Sequence, residues 1–541
     1  MALDLEPSLC VARCDIASVA LADGVYSRSF EGNGLVLHHD PDGSGVGLVA
    51  VDRNTVPISS CDVLLTFAAY PHEVAANVEF LHPTKNFALV SYDARAMPRA
   101  ARLAVRAAAC AGGDDESDFQ IAMRRGDELV LVGLNAQLKP MSRVATVADA
   151  TSSAAVPSAD IPRFRAVNEE VVKLDIDLGY DYGGALAVAR YGKAENGAEN
   201  GADDSATAPR AVVKALWASY ATPTSDGEVD SLVRGMPIAP ALEARDRVLA
   251  WMAATTKAGD DKSKQSENEN ESAAPDKSMD KSVKLLDAEF EVVTLSRAAN
   301  LGVPRAWIDA LLAKDPGRRQ ALVVASAVAG TGAARTLEGG DVVLTAGAGK
   351  GVCVTFGDCE RAVSSDLLSK VVSETETASS TRKDVLPMTV CRSGAILEVE
   401  VEVSDVSCVG TSRLTHWAGC ILQAAHRPVA ELGFAPVWKH PETGVETKLD
   451  VFVSRWFHGS PAHRYGVFAL HWVAEVNDTP APTLDAFIAI VKDLPDGQFV
   501  RLKLVSLQGR PKALTVKLDN HYWPTWELRR DEGGKWERVL L

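Results

Sequence analysis

The sequence predicts a mainly β protein that ends in an α+β module, and three observations carry that reading. From Leu9 to about Thr222 short apolar runs alternate with Gly- and Pro-containing turns, the pattern of a sandwich or barrel. From Gly459 to Leu518 a turn, a strand, a helix and a strand pair follow in that order. Between these regions, Thr255 to Ser282 is too rich in Lys, Asp, Ser, Glu and Asn to bury a core.

The first region begins with Val25 to His38, which alternates around Gly32 and Gly34. Gly47 to Val56 resumes after the turn Asp40-Pro41-Asp42-Gly43-Ser44-Gly45, and Cys61 to Phe67 and Phe87 to Tyr92 are further strands. Lys193 to Pro209, with Glu-Asn-Gly-Ala repeated, reads as a surface insertion before a strand over Val212 to Tyr220. After the polar linker, Leu295 to Leu301 and Arg305 to Leu312 read as helical, Ala321 to Ala325 as a strand and Cys359 to Val372 as a helix. In the last module Gly459-Ser460-Pro461-Ala462 punctuates a turn and Trp472 to Val476 alternates as a half-buried strand. Leu484, Phe487, Ile488 and Val491 then recur at helical spacing, and Phe499 to Leu507 and Ala513 to Leu518 form a strand pair split by Gln508-Gly509-Arg510-Pro511.

At 541 residues the chain has room for about three or four domains. Its 56 basic and 72 acidic side chains give a net charge of −16, which argues against a nucleic-acid surface. The first residues, Met-Ala-Leu-Asp-Leu-Glu-Pro, carry acids where a signal peptide needs positive charge, and no run of ~18 apolar residues follows. An intracellular chain with no membrane partner is therefore expected. Nine cysteines, odd in number and mostly isolated, fit reduced thiols. Cys10 and Cys14 lack the second pair that zinc requires, so no metal or other cofactor is expected. Gly347-Ala348-Gly349-Lys350-Gly351 lacks the Ser or Thr of a phosphate loop and reads as a hairpin tip.

The order G-S-P-A, short loop, strand, Asn477 turn, helix and two strands resembles the PDZ domain of HtrA-type serine proteases. Such a domain adds a peptide as a strand to a sheet edge and captures the terminal carboxylate on backbone N–H groups. The resemblance places that loop at Trp417, Ala418, Gly419, Cys420 and Ile421, against the plainer reading that Gly419 only relieves a crowded turn.

The first region resembles the chymotrypsin-like double β-barrel of the same proteases. In detail the chain is similar to the fungal nuclear, pro-apoptotic HtrA-like family, in which a protease-plus-PDZ half is duplicated and the second half has lost its catalytic residues. Val51-Asp52-Arg53-Asn54-Thr55-Val56 stands where the active half has T-N-R-H-V-V, so Asn54 holds the histidine position. His82-Pro83-Thr84-Lys85-Asn86-Phe87 resembles the aspartate segment, with Asn86 in that position. Gly179-Tyr180-Asp181-Tyr182-Gly183-Gly184 falls at the nucleophile loop, with Tyr182 in the serine position. Serine proteolysis needs a hydroxyl, an imidazole and an orienting carboxylate. An amide has no basic lone pair, and a phenol with a pKa of about 10 is too large for a serine loop. A competing registration would draw a base from His38, His39, His72 or His82 and a nucleophile from Ser59, Ser60 or Ser91, none of which sits in a glycine-flanked elbow.

The resemblance thus implies a chymotrypsin-like double β-barrel followed by two PDZ domains. The expected boundaries are a degenerate protease domain over 9–250, a disordered linker over 251–282, a divergent PDZ-like domain over 283–405, a PDZ domain over 413–520 and a packed aromatic tail over 521–541. In the divergent unit the carboxylate loop is expected near Ala288-Glu289-Phe290-Glu291-Val292, where two glutamates would repel a peptide terminus. Two functional readings follow. One is a non-catalytic scaffold that binds protein C-terminal or unfolded peptides, as the regulatory half of an HtrA-like protease. The other is a piece of an active endopeptidase whose triad lies upstream or on a partner half. The resemblance also implies residence in the nucleus or cytoplasm and a link to stress or cell death; the oligomeric state stays open.

Overall fold

The computed structural model describes residues 5–110, 123–176 apart from 136, 155, 157 and 159, and then 184–190, 210–223, 229–264, 281–373 and 384–541 apart from 440, 441 and 532. Two compact units emerge, one of residues 1–18, 27–157 and 170–281 and one of residues 19–26, 158–169 and 282–541.

The first unit holds two closed antiparallel barrels. Strands β1 (Leu9–Asp15), β2 (Ser29–His39), β3 (Val46–Val51), β4 (Asp62–Phe67), β5 (Glu73–Leu81) and β6 (Ala88–Asp93) close in the order β1-β2-β3-β6-β5-β4. The strand period of two explains β4, whose Val63, Leu65 and Phe67 are buried while Leu64 and Thr66 are less so. The turn between β2 and β3 is held by the Asp40 carboxylate, which accepts from the N–H of Gly43 at 2.9 Å and from the backbone and hydroxyl of Ser44. Strand β3 stops at Val51, short of the expected Val56, because the Asp52 carboxylate accepts from Thr55 N–H at 2.6 Å and bends the chain.

After α1 (Arg99–Ala104), strands β7 (Glu128–Leu134), β8 (Pro140–Ser153), β9 (Glu170–Leu174), β10 (Gly184–Arg190), β11 (Arg210–Pro223) and β12 (Val229–Pro237) close in the order β10-β11-β12-β9-β8-β7. Leu129, Leu131, Ala145, Val147, Val172, Ala215 and Trp217 fill this barrel. The barrels are tied by Asn33, whose amide donates to the Leu134 carbonyl at 3.3 Å and accepts from the Leu134 N–H at 3.2 Å. The insertion expected over 193–209 lies outside the described residues.

Helix α2 (Ala239–Lys264) corrects one expectation. Residues 251–264, read as the start of a disordered linker, are helical. The buried Ala241, Leu242, Ala244 and Val248 anchor the first turns, and Met252-Ala253-Ala254 with the lysines beyond are residues through which an established helix propagates. Residues 265–280 lie outside the described part. The Lys281 ammonium lies 2.8 Å from Glu79 and over the Trp251 ring.

The second unit contains two larger sheets. Its first group comprises β13 (Ser282–Leu285), β14 (Ala288–Thr294), α3 (Leu295–Asn300), α4 (Arg305–Lys314), β15 (Gln320–Ala327), α5 (Gly332–Thr336), β16 (Val342–Ala346), β17 (Gly351–Val352), α6 (Phe356–Ser373), β18 (Val385–Arg392), β19 (Ala395–Glu402) and β20 (Ser404–Ser407). The sheet runs β14-β15-β16-β18-β19, with β17 beside β16 and β13 paired to β20. Phe290, Leu322, Val324, Val343, Phe356, Met388 and Val390 form its core. Residues Ala288 to Val292, expected as a carboxylate loop, lie within β14. Ala288 and Phe290 point into that core, and Glu289 is paired with Arg165, its oxygen 2.7 Å from Nη1.

The last group contains β21 (Arg413–Trp417), β22 (Cys420–Gln423), α7 (Arg427–Ala430), the small hairpin β23 (Val437–Lys439) and β24 (Glu446–Lys448), β25 (Phe452–Trp456), α8 (Pro461–Tyr465), β26 (His471–Val476), β27 (Thr479–Pro480), α9 (Leu484–Val491), β28 (Phe499–Ser506), β29 (Pro511–Lys517), β30 (Trp526–Arg530) and β31 (Trp536–Leu540). The sheet order is β29-β28-β26-β25-β22-β21-β30-β31. The Gly-Ser-Pro-Ala turn starts α8. The Ser460 hydroxyl accepts from His463 N–H at 3.1 Å, Pro461 takes the first turn, and Gly466 closes the helix at φ +79°. The four periodic apolar residues of α9 are buried as the spacing predicts. The stretch 521–541, expected as a packed tail, contributes two strands, because β30 pairs with β21 and β31 with β30.

Candidate functional site

Asn54 sits in the turn after β3 and Asn86 in the turn before β6, on neighbouring strands of the first barrel. Both side chains reach one atom of the second barrel, the carbonyl oxygen of Ser219 in β11. Asn86 Nδ2 donates to it at 2.6 Å, and Asn54 Nδ2 donates to the same oxygen. Asn86 is 1% exposed, and its Oδ1 accepts from the Arg53 N–H at 2.9 Å. The Ser219 N–H donates in turn to Asp52 Oδ2 at 3.0 Å. The two positions assigned from sequence as lost base and lost carboxylate are therefore brought together. Tyr182, the third, lies outside the described residues.

This arrangement offers no proton acceptor at either position. Both amide nitrogens are donors, already committed to a carbonyl, and the one mapped amide oxygen holds a backbone N–H. Asp52 and Ser219 were missed by sequence reasoning. The only signal was the acid just ahead of a tight turn, which also reads as an ordinary Asx turn. Burial pushes the Asp52 carboxyl upward, while the N–H groups of Ser219 and Thr55 pull it back. Beside it, the buried Arg53 donates to the carbonyls of His82 and Pro57, each at 2.7 Å.

The competing candidates are placed in other roles. His39 Nδ1 meets the Tyr92 hydroxyl at 2.8 Å and Nε2 meets the Arg102 carbonyl at 3.1 Å. His82 Nδ1 accepts from the N–H groups of Thr84 and Lys85, a turn cap. His38 is held below its ordinary pKa by burial, and His72 lies in the connection between β4 and β5. The Ser91 hydroxyl donates to Glu79 at 2.8 Å, while Ser59 and Ser60 are buried between β3 and β4. Among the described residues no group of three or more His, Cys, Asp or Glu is placed to hold a metal ion, and no described helix is long and apolar enough to cross a membrane.

The five residues expected to capture a peptide carboxylate form a closed hairpin. Trp417 pairs with Cys420, leaving Ala418 at φ +49° and Gly419 at φ +77°, a two-residue turn with both central residues left-handed. The turn is covered, since Gly419 accepts from Phe457 N–H at 3.0 Å and Ala418 from Ala462 N–H at 2.9 Å. A Cβ on Gly419 would meet Ser460 Cβ at 2.1 Å. Moreover β22 is paired along both edges, with β21 on one side and β25 on the other. Strand addition needs an unpaired edge, so Trp417, Ala418, Gly419, Cys420 and Ile421 are corrected from an open binding loop to a buried turn.

No family model matches the chain. It is 36% identical over 542 residues to Protease Do-like 7 of Arabidopsis thaliana, an alignment covering 99% of the chain and 44% of that relative. It is 28% identical to the pro-apoptotic serine protease NMA111 of Meyerozyma guilliermondii, covering 97% of the chain and 44% of that relative. The chain is a homologue of these HtrA-like serine proteases. It spans a little under half of their length. Among solved structures, the HtrA-type protease AlgW with decapeptide aligns with 74% of the chain and 96% of that structure, at 14% identity and a TM-score of 0.36.

In this chain the edge of β14 is treated differently from that of β22. One side of β14 pairs with β15. On the other, the Asn168 side chain accepts from the Phe290 N–H at 2.8 Å and donates to the Ala288 carbonyl at 2.8 Å. A single amide thus makes the two bonds that a neighbouring strand would make.

Proposed function

We propose that this chain is a non-catalytic pseudoprotease and protein-docking scaffold, the regulatory half of an HtrA-like protease. The observation that carries the reading is the pair Asn54 and Asn86, two amide donors fixed on the Ser219 carbonyl where base and orienting carboxylate would stand. Without a base near neutral pH a hydroxyl stays protonated, whatever oxyanion donors surround it. Its partners in this reading are extended or unfolded protein segments and a catalytic partner half, in the nucleus or cytoplasm.

A second reading is favoured by the length of the relatives. Because the chain spans 44% of them, a working triad elsewhere in a longer polypeptide or on a partner half would make it part of an active endopeptidase. The test is casein hydrolysis and fluorophosphonate labelling by the expressed chain, beside a mock preparation. No turnover and no labelling are expected; probe-sensitive turnover by the chain alone overturns the pseudoprotease proposal. Imaging a tagged chain in cells tests its location.

A further inference from the structure

Strand β21 lies where a ligand strand would lie against β22. It runs antiparallel to β22, and its last residue, Trp417, stands opposite Cys420 at the start of that strand. The Trp417 indole is 1% exposed and meets the Phe487 ring of α9 edge-on, with centroids 5.5 Å apart. At the other end of β21, Arg413 reaches Asp485 of α9 at 2.7 Å. An apolar last residue in a pocket under the helix, and backbone pairing along the neighbouring strand, are what peptide recognition by strand addition requires.

The outer side of β21 is also secured. Glu527 of β30, fully buried, accepts from Arg413 Nε at 2.7 Å and from the Thr415 hydroxyl at 3.1 Å, and pairs with Arg529. His416, on the opposite face, stacks on Trp526 at 4.7 Å and lies near Phe457 and Trp523.

We infer that residues 413–417 are a built-in ligand that occupies the groove between β22 and α9, closing this module to protein termini. This goes beyond the proposed lack of catalysis and does not depend on it. The resident strand is joined to β22 by two residues, so it competes with any free peptide at an effective concentration on the order of mM. A peptide of μM intrinsic affinity would therefore bind about a thousandfold more weakly than to an empty groove.

The test uses the full chain and a fluorescein-labelled synthetic peptide of residues 411–417 with a free C-terminal carboxylate. The intact chain is expected to show no saturable binding below ~1 mM. Trp417→Ala, which empties the pocket, is expected to bind the peptide at least tenfold more tightly. Equal affinity of the two proteins, or no binding by a folded Trp417→Ala chain, overturns the inference. Hydrogen–deuterium exchange on the intact chain decides the matter without any variant. The amides of 420–423 should exchange as slowly as those of β28, and loop-like exchange there overturns it.

Discussion

Strands β14 and β22 hold matching places in their sheets. Each pairs with the next strand of its own series, β15 or β25, and each series ends in a hairpin, β18–β19 or β28–β29, preceded by a helix. Their outer edges are satisfied by unlike means. At β14 one asparagine amide supplies a single rung, whereas at β22 a whole strand is laid down and backed by a further hairpin. Both solutions answer the same physical demand, that a sheet edge should not present unpaired N–H and C=O groups. They differ in what removal would cost, and so in which edge is available to a partner.

The largest effect should come from Trp417→Ala. The indole belongs to the core that includes Leu422, Val453, Phe487 and Leu502, and truncating a buried tryptophan leaves a cavity worth about 3–5 kcal/mol. Urea denaturation followed by circular dichroism should show that loss in the transition of the last module. A loss below ~1 kcal/mol would mean that β21 is held loosely, and the contrast with β14 would vanish.

Acidification should act on the same strand. Burial lowers the pKa of His416 from 6.5 to about 4, so the unfolded chain binds this proton more readily than the folded one. Stability contributed by neutral His416 is complete above pH ~6.5 and is lost as pH falls toward about 4, by at most roughly 3 kcal/mol. Arg538 adds to the lowering, while the Pro524 carbonyl, 3.4 Å from Nδ1, opposes it. Comparing unfolding free energies of the intact chain and His416→Phe at several pH values isolates the term. Parallel curves would show that the imidazole titrates freely.

For β14, Asn168→Ala should cost about 1–3 kcal/mol, because it strips the partner from one backbone N–H and one carbonyl. Asn168 also has φ +54°, which alanine tolerates less well, so Asn168→Gly serves as the control for backbone strain. The check is faster exchange at the Phe290 amide with no change at 420–423. An undisturbed Phe290 amide would mean that this rung is dispensable.

What the sequence made legible is what short-range pattern encodes. Alternation at Val63, Leu65 and Phe67 marks a barrel strand, and the spacing of Leu484, Phe487, Ile488 and Val491 marks a helix, because each residue's burial follows from its own strand or turn period. The pairing of β21 is of another kind. Arg413 and Glu527 are 114 residues apart, and Asn168 and Ala288 are 120 apart, so no local window carries either contact. Gly419 fits the plainer reading of a crowded turn, since only a residue without Cβ fits beside Ser460. Its neighbours gave no sign that the turn joins two paired strands rather than bordering an open groove. Asn54 and Asn86 were legible through resemblance alone, and their common target Ser219 was not, because an asparagine's hydrogen-bond partner leaves no periodicity. The helix over 251–264 was hidden by polar composition, which describes an exposed helix face as well as a linker.

The smallest effect separates the rim of the β21 contact from its centre. Asp485 takes the Arg413 guanidinium at 2.7 Å, yet its side chain is 82% exposed, so the pair sits in high dielectric and is screened by salt. Arg413 keeps a second acid when Asp485 is lost, because Glu527, fully buried, accepts from its Nε. Asp485→Ala should therefore cost about 0.2–1 kcal/mol, less at high salt, and leave the exchange of 420–423 unchanged. Glu527→Ala should cost several times more, because it takes the acceptor from the buried Thr415 hydroxyl and from the partly buried Nε of Arg413. Chemical denaturation of the two variants at low and high salt reads the difference directly. Equal losses would place the grip on β21 at the helix rather than at the C-terminal hairpin, and the resident strand would then be held as a bound peptide is, by the groove alone.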